Sequence, residues 1–402
     1  MRILFATDQY FPTVGGISMV TYRLAKSLTN LGHTVAIIAP STSWKFKKET
    51  KEGLTIFRVR SLPFLGKRNL RYAPTFIYAN KIKNILKTFA PDIVHIETPN
   101  DIAAVTARIA RKLLIPVVGT CHIMPENISG ALPFLPSRIR RVVGNLYMKQ
   151  MIQVFNKVDF VTAPTQTGIA ILKAYGIKTP SMALSNGIDL AGFRNSYLQK
   201  KEIMREKLKI PDDPLILYVG RLDKEKRVNI LVESLALIEN RVPFHALISG
   251  TGNETNHLQD SIHALHLEEK VTLIGFISRE ELSILYSMAV LFVMPSTAEL
   301  QSLVTMEAMA SKLPVIGAKA GALPYLIHSN KNGFTFKPDN PVDLAKKLTI
   351  LLKDKKLREK MGIESFKLIQ KHDINIIAKT LEELYEKLIE RKQEKLSVFS
   401  AK

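Results

Sequence analysis

Two carboxylates and two cations stand in this chain at spacings that suit a nucleotide sugar. Glu299 and Glu307 bracket the segment ELQSLVTME, and Arg221 and Lys226 lie in GRLDKEK, directly after the apolar run LILYV. Carboxylates accept hydrogen bonds from sugar and ribose hydroxyls, whereas a planar guanidinium and a mobile ammonium both bind a diphosphate. Either pair alone would more often be ordinary surface charge. Together they predict a protein that moves a sugar off a nucleoside diphosphate.

The residues after Glu299 predict a helix whose first turn faces an anion. Ser302 is a suitable N-cap for a helix that runs to Ser311. The free amides of Ser302, Leu303 and Val304, helped by the helix dipole, would then face a phosphate. The alternative is a capped surface helix with two exposed glutamates. It is weakened because the segment is otherwise apolar and follows the predicted buried strand LFVMP.

Two further motifs lie in the first half of the chain. Gly15 and Gly16 separate the first predicted strand from the first helix, where glycine lets the backbone approach a phosphate closely. The pattern is not G-x-G-x-x-G, which disfavours a nicotinamide enzyme. His122 follows a strand at 116–120 and could bind a sugar hydroxyl or position an acceptor, although a lone histidine there is more often structural. Cys121 is interpreted as a small buried hydrophobe.

Short apolar runs alternate with amphipathic segments in both halves of the chain, which predicts two successive parallel sheets covered by helices on both faces. The predicted strands are 3–7, 34–39, 54–60, 93–97, 117–120, 160–163 and 181–184, then 215–219, 245–249, 271–274, 291–294, 315–317 and 333–336. The predicted helices are 19–31, 74–88, 228–240, 255–267, 280–288, 303–311, 341–353 and 374–395. Ligands of open α/β sheets bind at the carboxyl ends of the strands. We therefore expect the chemistry in a cleft between the two domains.

The charge of the chain is concentrated in its first half. Residues 1–200 hold 27 Lys and Arg against 9 Asp and Glu, whereas residues 201–402 hold 30 against 27, within a net charge of +21. This asymmetry indicates an anionic partner for the first half.

A single cysteine argues against a disulfide framework. The N-terminus is interpreted as a first strand instead of a secretion signal. The sequence contains no run of about 18 apolar residues, so no membrane span is predicted.

The motifs together resemble the family-4 retaining glycosyltransferases of the GT-B fold over nearly the whole chain. The matching segments are Gly15-Gly16, LGHTV at 31–35, PDIVH at 91–95, His122, SNGID at 185–189, VGRLDKEK at 219–226 and Glu299-x7-Glu307. The resemblance implies an α/β fold of two facing Rossmann-like domains with an interdomain cleft. It also implies that the second domain holds most of the nucleotide and that a C-terminal helix crosses back to the first. The expected domains are 1–190, which binds the acceptor and faces the membrane, 191–373, which binds the nucleotide sugar, and 374–402, the helix and a charged tail.

The resemblance also implies roles for the motif residues. Arg221 and Lys226 would contact the donor diphosphate, Glu307 the ribose, Glu299 the transferring sugar, and His122 the acceptor side of that sugar. The predicted catalytic residues are Glu299, His122, Arg221 and Lys226. The predicted donor-binding residues are Gly15, Gly16, Arg221, Lys226, Ile277, Glu299, Gln301, Ser302, Leu303, Val304 and Glu307. Retention of anomeric configuration without a metal or other cofactor is expected.

Two positions depart from the family pattern, and the first of them bears on the acceptor. Gln301-Ser302 stands where many members have Phe-Gly, and a Gln there is similar to bacterial diacylglycerol glucosyltransferases. Tyr325 replaces a usual acidic residue. The predicted membrane or acceptor contacts are Lys67, Arg68, Arg71, Arg138, Arg140 and Arg141, which lie beside aromatic and aliphatic residues. The helix-spaced apolar residues of 137–157 fit either a membrane-facing helix or an ordinary core-facing one.

The sequence thus predicts a hexosyltransferase that moves a sugar, such as glucose from UDP-glucose, to a lipid such as diacylglycerol. We expect a cytoplasmic protein, peripheral on the inner face of the cell membrane. A soluble polysaccharide or glycoside acceptor is the alternative within the same class. A nucleic-acid-binding protein would fit the basic charge, but no recognised nucleic-acid-binding pattern accompanies it. A catalytically inactive binding module is disfavoured, since all four central site residues are present.

Overall fold

A computed structural model describes residues 1–13, 15–64, 67–127, 136–193 and 198–400. The described residues up to Gly187, together with those from Ile374 onward, form one compact unit, the first unit. Those between Ile188 and Asp373 form the second unit. Each unit has its own apolar core.

The first unit is a doubly wound sheet. Its strands are β1 (Arg2–Thr7), β2 (Thr34–Pro40), β3 (Lys47–Lys51), β4 (Leu54–Val59), β7 (Ile93–Glu97), β8 (Val117–Thr120), β9 (Phe160–Ala163) and β10 (Ser181–Ala183), with a separate ribbon of β5 (Leu62–Phe64) and β6 (Lys67–Tyr72). Its helices are α1 (Gly16–Asn30), α2 (Thr75–Phe89), α3 (Asp101–Lys112), α4 (Ser137–Phe155) and α5 (Gln166–Ala174). The strand order is β10-β9-β8-β7-β1-β2-β4-β3, and only β3 pairs antiparallel among these strands. The order reverses between β1 and β7, so the loops that follow them share one edge of the sheet.

The second unit is a fully parallel sheet. Its strands are β11 (Leu215–Val219), β12 (His245–Ser249), β13 (Val271–Gly275), β14 (Leu291–Met294), β15 (Val315–Ala318) and β16 (Gly333–Phe336), in the order β13-β12-β11-β14-β15-β16. Its helices are α6 (Leu198–Leu208), α7 (Val228–Ala236), α8 (Thr255–Ala264), α9 (Arg279–Met288), α10 (Leu303–Ala310), α11 (Leu323–Leu326), α12 (Pro341–Lys353) and α13 (Lys355–Ile369), with 3-10 turns at Ala191–Phe193, Lys224–Lys226 and Gln370–His372. Every residue of β11 is buried, as expected for a parallel strand covered on both faces. The order reverses between β11 and β14, and this switch point is where open α/β sheets bind ligands.

The last helix, α14 (Ile374–Ser400), returns to the first unit. The Tyr385 hydroxyl lies 2.5 Å from Nδ1 of His95, a buried residue of β7. Glu382 contacts the His33 ring at 2.7 Å, and Ser27 Oγ donates to Asn375 Oδ1 at 3.2 Å. The prediction that a C-terminal helix crosses back is therefore confirmed.

The prediction of two Rossmann-like sheets is also confirmed, and every predicted strand occurs with ends within one residue of those observed. The strands β3, β5 and β6 and the helices α3, α5, α6, α11 and α13 were not predicted. β3 reads KKETK and lies at the exposed edge of its sheet, so it carries no apolar alternation to detect. The helices predicted at 228–240 and 255–267 end earlier, at Ala236 and Ala264. Within the described residues, none of the helices combines the length and apolar character needed to cross a bilayer.

Candidate functional site

A buried ion pair lies at the switch point of the second sheet. The loop after β11 carries Lys226, and the loop after β14 carries Glu299. Lys226 Nζ donates to Glu299 Oε1 at 2.5 Å, and the side chains are only 14% and 10% exposed. Two of the predicted site residues, 73 positions apart in sequence, are thus brought into direct contact.

Arg221 lies in the same loop as Lys226, directly after β11. Nη2 donates to Glu225 Oε1 at 2.7 Å, and Nη1 pairs with Asp223. The Tyr218 hydroxyl, at the end of buried β11, donates to the Arg221 carbonyl at 2.9 Å and fixes the main chain. Asp223 and Glu225 were missed by sequence reasoning, although acidic residues two and four positions after an arginine are a readable signal. They orient the guanidinium while leaving it mostly exposed.

The loops around the pair brace one another through their backbones. The Glu299 carbonyl accepts from Ala322 N at 2.9 Å, and Thr297 N donates to the Glu225 carbonyl at 3.3 Å. Gly321 has φ +53°, and a Cβ there would lie 2.8 Å from the Glu299 carbonyl oxygen. Only glycine fits this approach, because a side chain would displace the loop that carries Glu299. Tyr325 lies nearby on α11 and is half exposed.

Helix α10 begins at the predicted cap. Ser302 Oγ accepts from Thr305 N at 3.4 Å, so the N-cap prediction is confirmed. The first amides of a helix have no intrahelical acceptor, so those of Leu303 and Val304 carry the positive end of the helix dipole. Glu307 is largely buried on this helix, and its Oε2 lies 3.3 Å from the Tyr286 hydroxyl.

Other predicted donor contacts lie in both units. Gln301 is buried directly before the α10 cap, and Ile277 follows β13 at the carboxyl edge of the second sheet. In the first unit, Gly15 is the N-cap of α1, and Gly16 begins that helix. Within the described residues, no cluster of three or more His, Cys, Asp or Glu side chains is arranged to hold a metal ion.

His122 makes a contact that the sequence did not predict. Its Nε2 lies 2.5 Å from Oε2 of Glu97, a fully buried residue at the end of β7. Burial raises the pKa of Glu97, but the adjacent His122 and His95 rings together outweigh this, and the pKa lies below its usual range. Cys121 is buried as predicted, and burial raises its pKa to about 11, so it is an inert thiol.

The predicted basic contacts have unlike surroundings. Arg138 and Arg141 are exposed on α4, and Arg140 is half-buried. Arg71 donates from Nε to Ser61 Oγ at 2.6 Å and from Nη2 to the Ser61 carbonyl at 2.7 Å, so it ties the ribbon to the preceding chain. Lys67 and Arg68 lie on β6, and their side chains are outside the described residues.

Helix α4 has a core-facing side and an exposed apolar side, which correspond to the two alternatives that the sequence left open for 137–157. Its core-facing residues are Gly144, Met148, Met151, Ile152 and Phe155. On its first three turns, Ile139, Val142 and Leu146 are 49%, 56% and 56% exposed. Their i, i+3, i+7 spacing places them in one stripe, with Arg138 and Arg141 in the adjacent stripe.

Comparison with known proteins agrees with this geometry. Residues 14–191 match the family described as Glycosyltransferase Family 4, and residues 199–368 match Glycosyl transferases group 1. With two Rossmann-like sheets and cation and carboxylate motifs at the edge of the second, the chain belongs to the family-4 glycosyltransferases. It is a glycosyltransferase with the GT-B type of domain.

Individual relatives are similar over most of the chain. An alpha-monoglucosyldiacylglycerol synthase of Streptococcus pneumoniae is 29% identical over 81% of this chain and 72% of its own length. A protein of the same name from Acholeplasma laidlawii is 24% identical over 99% of this chain and all of its own. Among solved structures, sucrose-phosphate synthase of Thermosynechococcus elongatus superposes with a TM-score of 0.79 at 20% identity, covering 97% of this chain and 99% of its own. That structural likeness concerns the fold.

Proposed function

We propose that this protein transfers a glucosyl group from UDP-glucose to a lipid acceptor such as diacylglycerol, at the cytoplasmic surface of an anionic membrane. The observation that carries the proposal is the Lys226–Glu299 contact at the carboxyl edge of the second sheet. It sets a cation and a carboxylate side by side, where a donor would offer a diphosphate and a sugar. The glucose assignment rests on the names of the two alpha-monoglucosyldiacylglycerol synthases described above. The uridine assignment rests on analogy with the family.

In the proposed mechanism the second unit stabilises the leaving group. Arg221 and Lys226 neutralise the diphosphate, the amides of Leu303 and Val304 add the positive end of α10, and Glu307 holds the ribose. Lys226 is paired with Glu299, so donor binding would place the phosphate charge against an ammonium that is already oriented. Glu299 then faces the sugar, where its charge stabilises positive character at the anomeric carbon.

The transfer retains configuration because the acceptor arrives on the face from which the phosphate departs. The bond from the anomeric carbon to the diphosphate oxygen breaks, and a bond to the acceptor oxygen forms. The acceptor hydroxyl proton passes to the departing phosphate oxygen, so no separate protein base is required. An α-linked donor then gives an α-linked product, as the names of the two relatives imply.

No metal is assigned a part in the proposal. Two cations and the helix dipole supply the charge that a divalent ion supplies in other phosphate-transfer sites. Turnover in a chelator such as EDTA should therefore equal turnover with added Mg²⁺. A rate that collapses in EDTA and returns with Mg²⁺ would contradict this part of the proposal.

The lipid acceptor is supported by the surface of the first unit. The exposed apolar stripe Ile139, Val142 and Leu146 stands beside Arg138 and Arg141 in a half of the chain with 27 basic against 9 acidic residues. An apolar stripe flanked by cations matches the surface of an anionic bilayer, in which acyl chains lie below negative headgroups. We therefore propose peripheral attachment through this face of α4.

A donor-by-acceptor activity matrix tests the proposal. UDP-, GDP- and ADP-sugars are each combined with diacylglycerol in mixed vesicles, phosphatidylinositol and soluble glycosides, and the product anomer is read by NMR. We expect turnover with UDP-glucose and diacylglycerol and an α-anomeric product. Turnover restricted to soluble acceptors would replace the lipid assignment, and a β-product would overturn retention.

A further inference from the structure

A carboxylate–imidazole pair lies at the carboxyl edge of the first sheet. Glu97 ends β7, and His122 follows β8, the neighbouring strand. The Glu97 side chain is fully buried and that of His122 is 5% exposed, with 2.5 Å between Oε2 and Nε2. A carboxylate has no proton to give, so the ring must donate its Nε2 proton to Glu97.

This contact leaves the other ring nitrogen available. Among the described residues, His122 Nδ1 has no hydrogen-bond partner. When the ring is neutral and its proton is on Nε2, Nδ1 presents a lone pair. A carboxylate that accepts from one ring nitrogen fixes the tautomer and the orientation of the ring. It thereby aims the other ring nitrogen at the group that this nitrogen binds.

The surroundings of Glu97 favour His122 as its working partner. Among the residues that the structure describes, the other carboxylate oxygen, Oε1, is buried with no hydrogen-bond partner, and it lies 3.7 Å from His95 Nε2. His95 is neutral at physiological pH because burial lowers its pKa to about 4, and its ring bonds Tyr385 and Thr120. A fully buried carboxylate with one hydrogen-bonded oxygen is costly to maintain, which points to a use for it.

The main chain directly after Glu97 is strained at Thr98. Thr98, directly after Glu97, has φ +49°, although a β-branched residue strongly disfavours the left-handed region. Thr98 N donates to the Thr120 carbonyl at 2.8 Å, and Thr98 Oγ1 accepts from His122 N at 3.3 Å. Strain of this kind persists where the surrounding structure over-determines it, commonly at functional sites. Here it fixes the main chain of His122 beside Glu97.

We propose that Glu97 is a positioning residue, which holds His122 in the Nε2–H tautomer so that Nδ1 accepts a hydrogen bond from a substrate hydroxyl. This role rests on the proposed glucosyl transfer for its kinetic consequence. The hydroxyl belongs either to the donor sugar or to the acceptor, and both offer the same chemistry to the ring.

The first test needs no substrate. ¹⁵N NMR of histidine-labelled protein at alkaline pH reports the tautomer of each neutral ring, and His122→Gln identifies the signal. We expect Nε2–H in the wild type. In Glu97→Gln the amide can donate to Nε2, and the ring should move toward Nδ1–H. A wild-type His122 in the Nδ1–H form would overturn the proposal, whatever the enzyme's substrates prove to be.

The second test measures turnover with UDP-glucose and diacylglycerol vesicles, and UDP affinity by calorimetry. Glu97→Gln should lower kcat by about 10- to 100-fold, as loss of an orienting second-shell partner does, while UDP binding by the second unit stays at the wild-type value. His122→Gln keeps a donor toward Glu97 but removes the Nδ1 acceptor. Adding Glu97→Gln to it should therefore cause no further loss. Losses that multiply would show that Glu97 acts independently of His122 and would overturn the proposal.

Glu382→Gln is the matched control. It makes the same change at another imidazole–carboxylate contact of the first unit, His33–Glu382 at 2.7 Å, and should leave kcat within about twofold of the wild-type value, the scale of a surface pair. A kcat in Glu97→Gln no lower than in this control would also refute the positioning role of Glu97.

Deoxy donors identify the substrate hydroxyl that donates to His122 Nδ1. If it is on the sugar, the donor that lacks it is used equally by wild type and Glu97→Gln. If it is on the acceptor, the difference persists with every deoxy donor.

Discussion

At the scale of single residues, the second unit holds the Lys226 ammonium and the Glu299 carboxylate in direct contact. Lys226 and Glu299 are both nearly buried, so each depends on the other for compensation. Arg221, by contrast, is mostly exposed and rests against Asp223 and Glu225. In the proposed mechanism the Lys226–Glu299 pair is preorganised for the donor, whereas the Arg221 guanidinium must leave its carboxylate partners to reach the phosphate.

Substitutions at the pair should remove turnover while leaving the fold intact. Lys226→Ala and Glu299→Gln should each lower kcat/KM by about 10²–10³-fold, because each removes preorganised charge at the site of developing charge. Steady-state kinetics and circular dichroism measure the two effects. Lys224→Ala, an exposed lysine in the same 3-10 turn, is the matched control and should retain activity. Near-normal rates in both site variants would refute the site assignment.

At the scale of elements, α4 divides its length between two tasks. Its later turns pack Met148, Met151 and Phe155 into the core, whereas its first turns expose Ile139 and Leu146. An exposed apolar stripe gives nothing to folding in water. The proposed membrane attachment would bury this stripe, and the two arginines beside it, in a headgroup layer.

Replacing that stripe should weaken vesicle binding without destabilising the protein. The triple variant Ile139→Ser, Val142→Ser, Leu146→Ser should lose at least about tenfold in affinity for anionic vesicles, since even partial burial of three such side chains is worth about 2 kcal/mol or more. Thermal unfolding should be unchanged. The control replaces three exposed isoleucines of the second unit, Ile203, Ile350 and Ile363, with Ser. Equal vesicle binding by both triples would contradict the assignment of this face.

The contact between α14 and β7 has a pH-dependent component. The pKa of His95 is lowered by burial from 6.5 to about 4, so between these values the unfolded chain binds a proton that the folded chain excludes. The free energy of unfolding should therefore fall as pH falls through this window, by about 3 kcal/mol from this group.

Denaturant titrations of wild type and His95→Asn at pH 7 and pH 4 measure this contribution. The variant starts less stable because it loses the bond to Tyr385, but it should lose about 3 kcal/mol less on acidification. Asp8, whose pKa is raised to about 7 chiefly by burial, acts in the opposite direction and is present in both proteins, so it cancels in the difference. Parallel losses in the two proteins would contradict the prediction.

At the scale of the whole molecule, charge and chemistry divide between the halves of the sequence. The cation and carboxylate motifs for the donor lie in the second unit, whereas residues 1–200 carry most of the net charge of +21. A basic surface acts over a Debye length, which is about 10 Å at 0.1 M salt and about 3 Å at 1 M. We therefore expect the proposed attachment to be reversible and to depend on ionic strength.

Sedimentation with vesicles should follow that dependence. The protein should pellet with anionic vesicles at low salt and be released at high salt, because each lysine or arginine near the surface contributes about 1 kcal/mol that screening removes. Vesicles of phosphatidylcholine alone are the control and should bind far less. Absence of binding to anionic vesicles at low salt would remove the argument for a membrane-bound acceptor.

The amino-acid sequence by itself determined the apolar strands of the two sheets and the motif residues that follow them. A parallel strand covered on both faces needs an uninterrupted apolar run, so LILYV and LFVMP were readable, and the polar residues directly after each run had to lie at the carboxyl edge. The cap at Ser302 was readable for the same local reason, since N-cap chemistry depends on a few consecutive residues.

Only the tertiary structure decided which of these residues meet. The order of strands in each sheet brings Lys226 to Glu299 across 73 positions and His122 to Glu97 across 25, and the sequence states neither pairing. Arg71 and Arg138 are both basic residues beside apolar ones in the sequence. In the structure Arg71 donates to Ser61, whereas Arg138 is exposed. Local patterns depend on neighbours in the chain, whereas contacts and exposure depend on how distant segments pack.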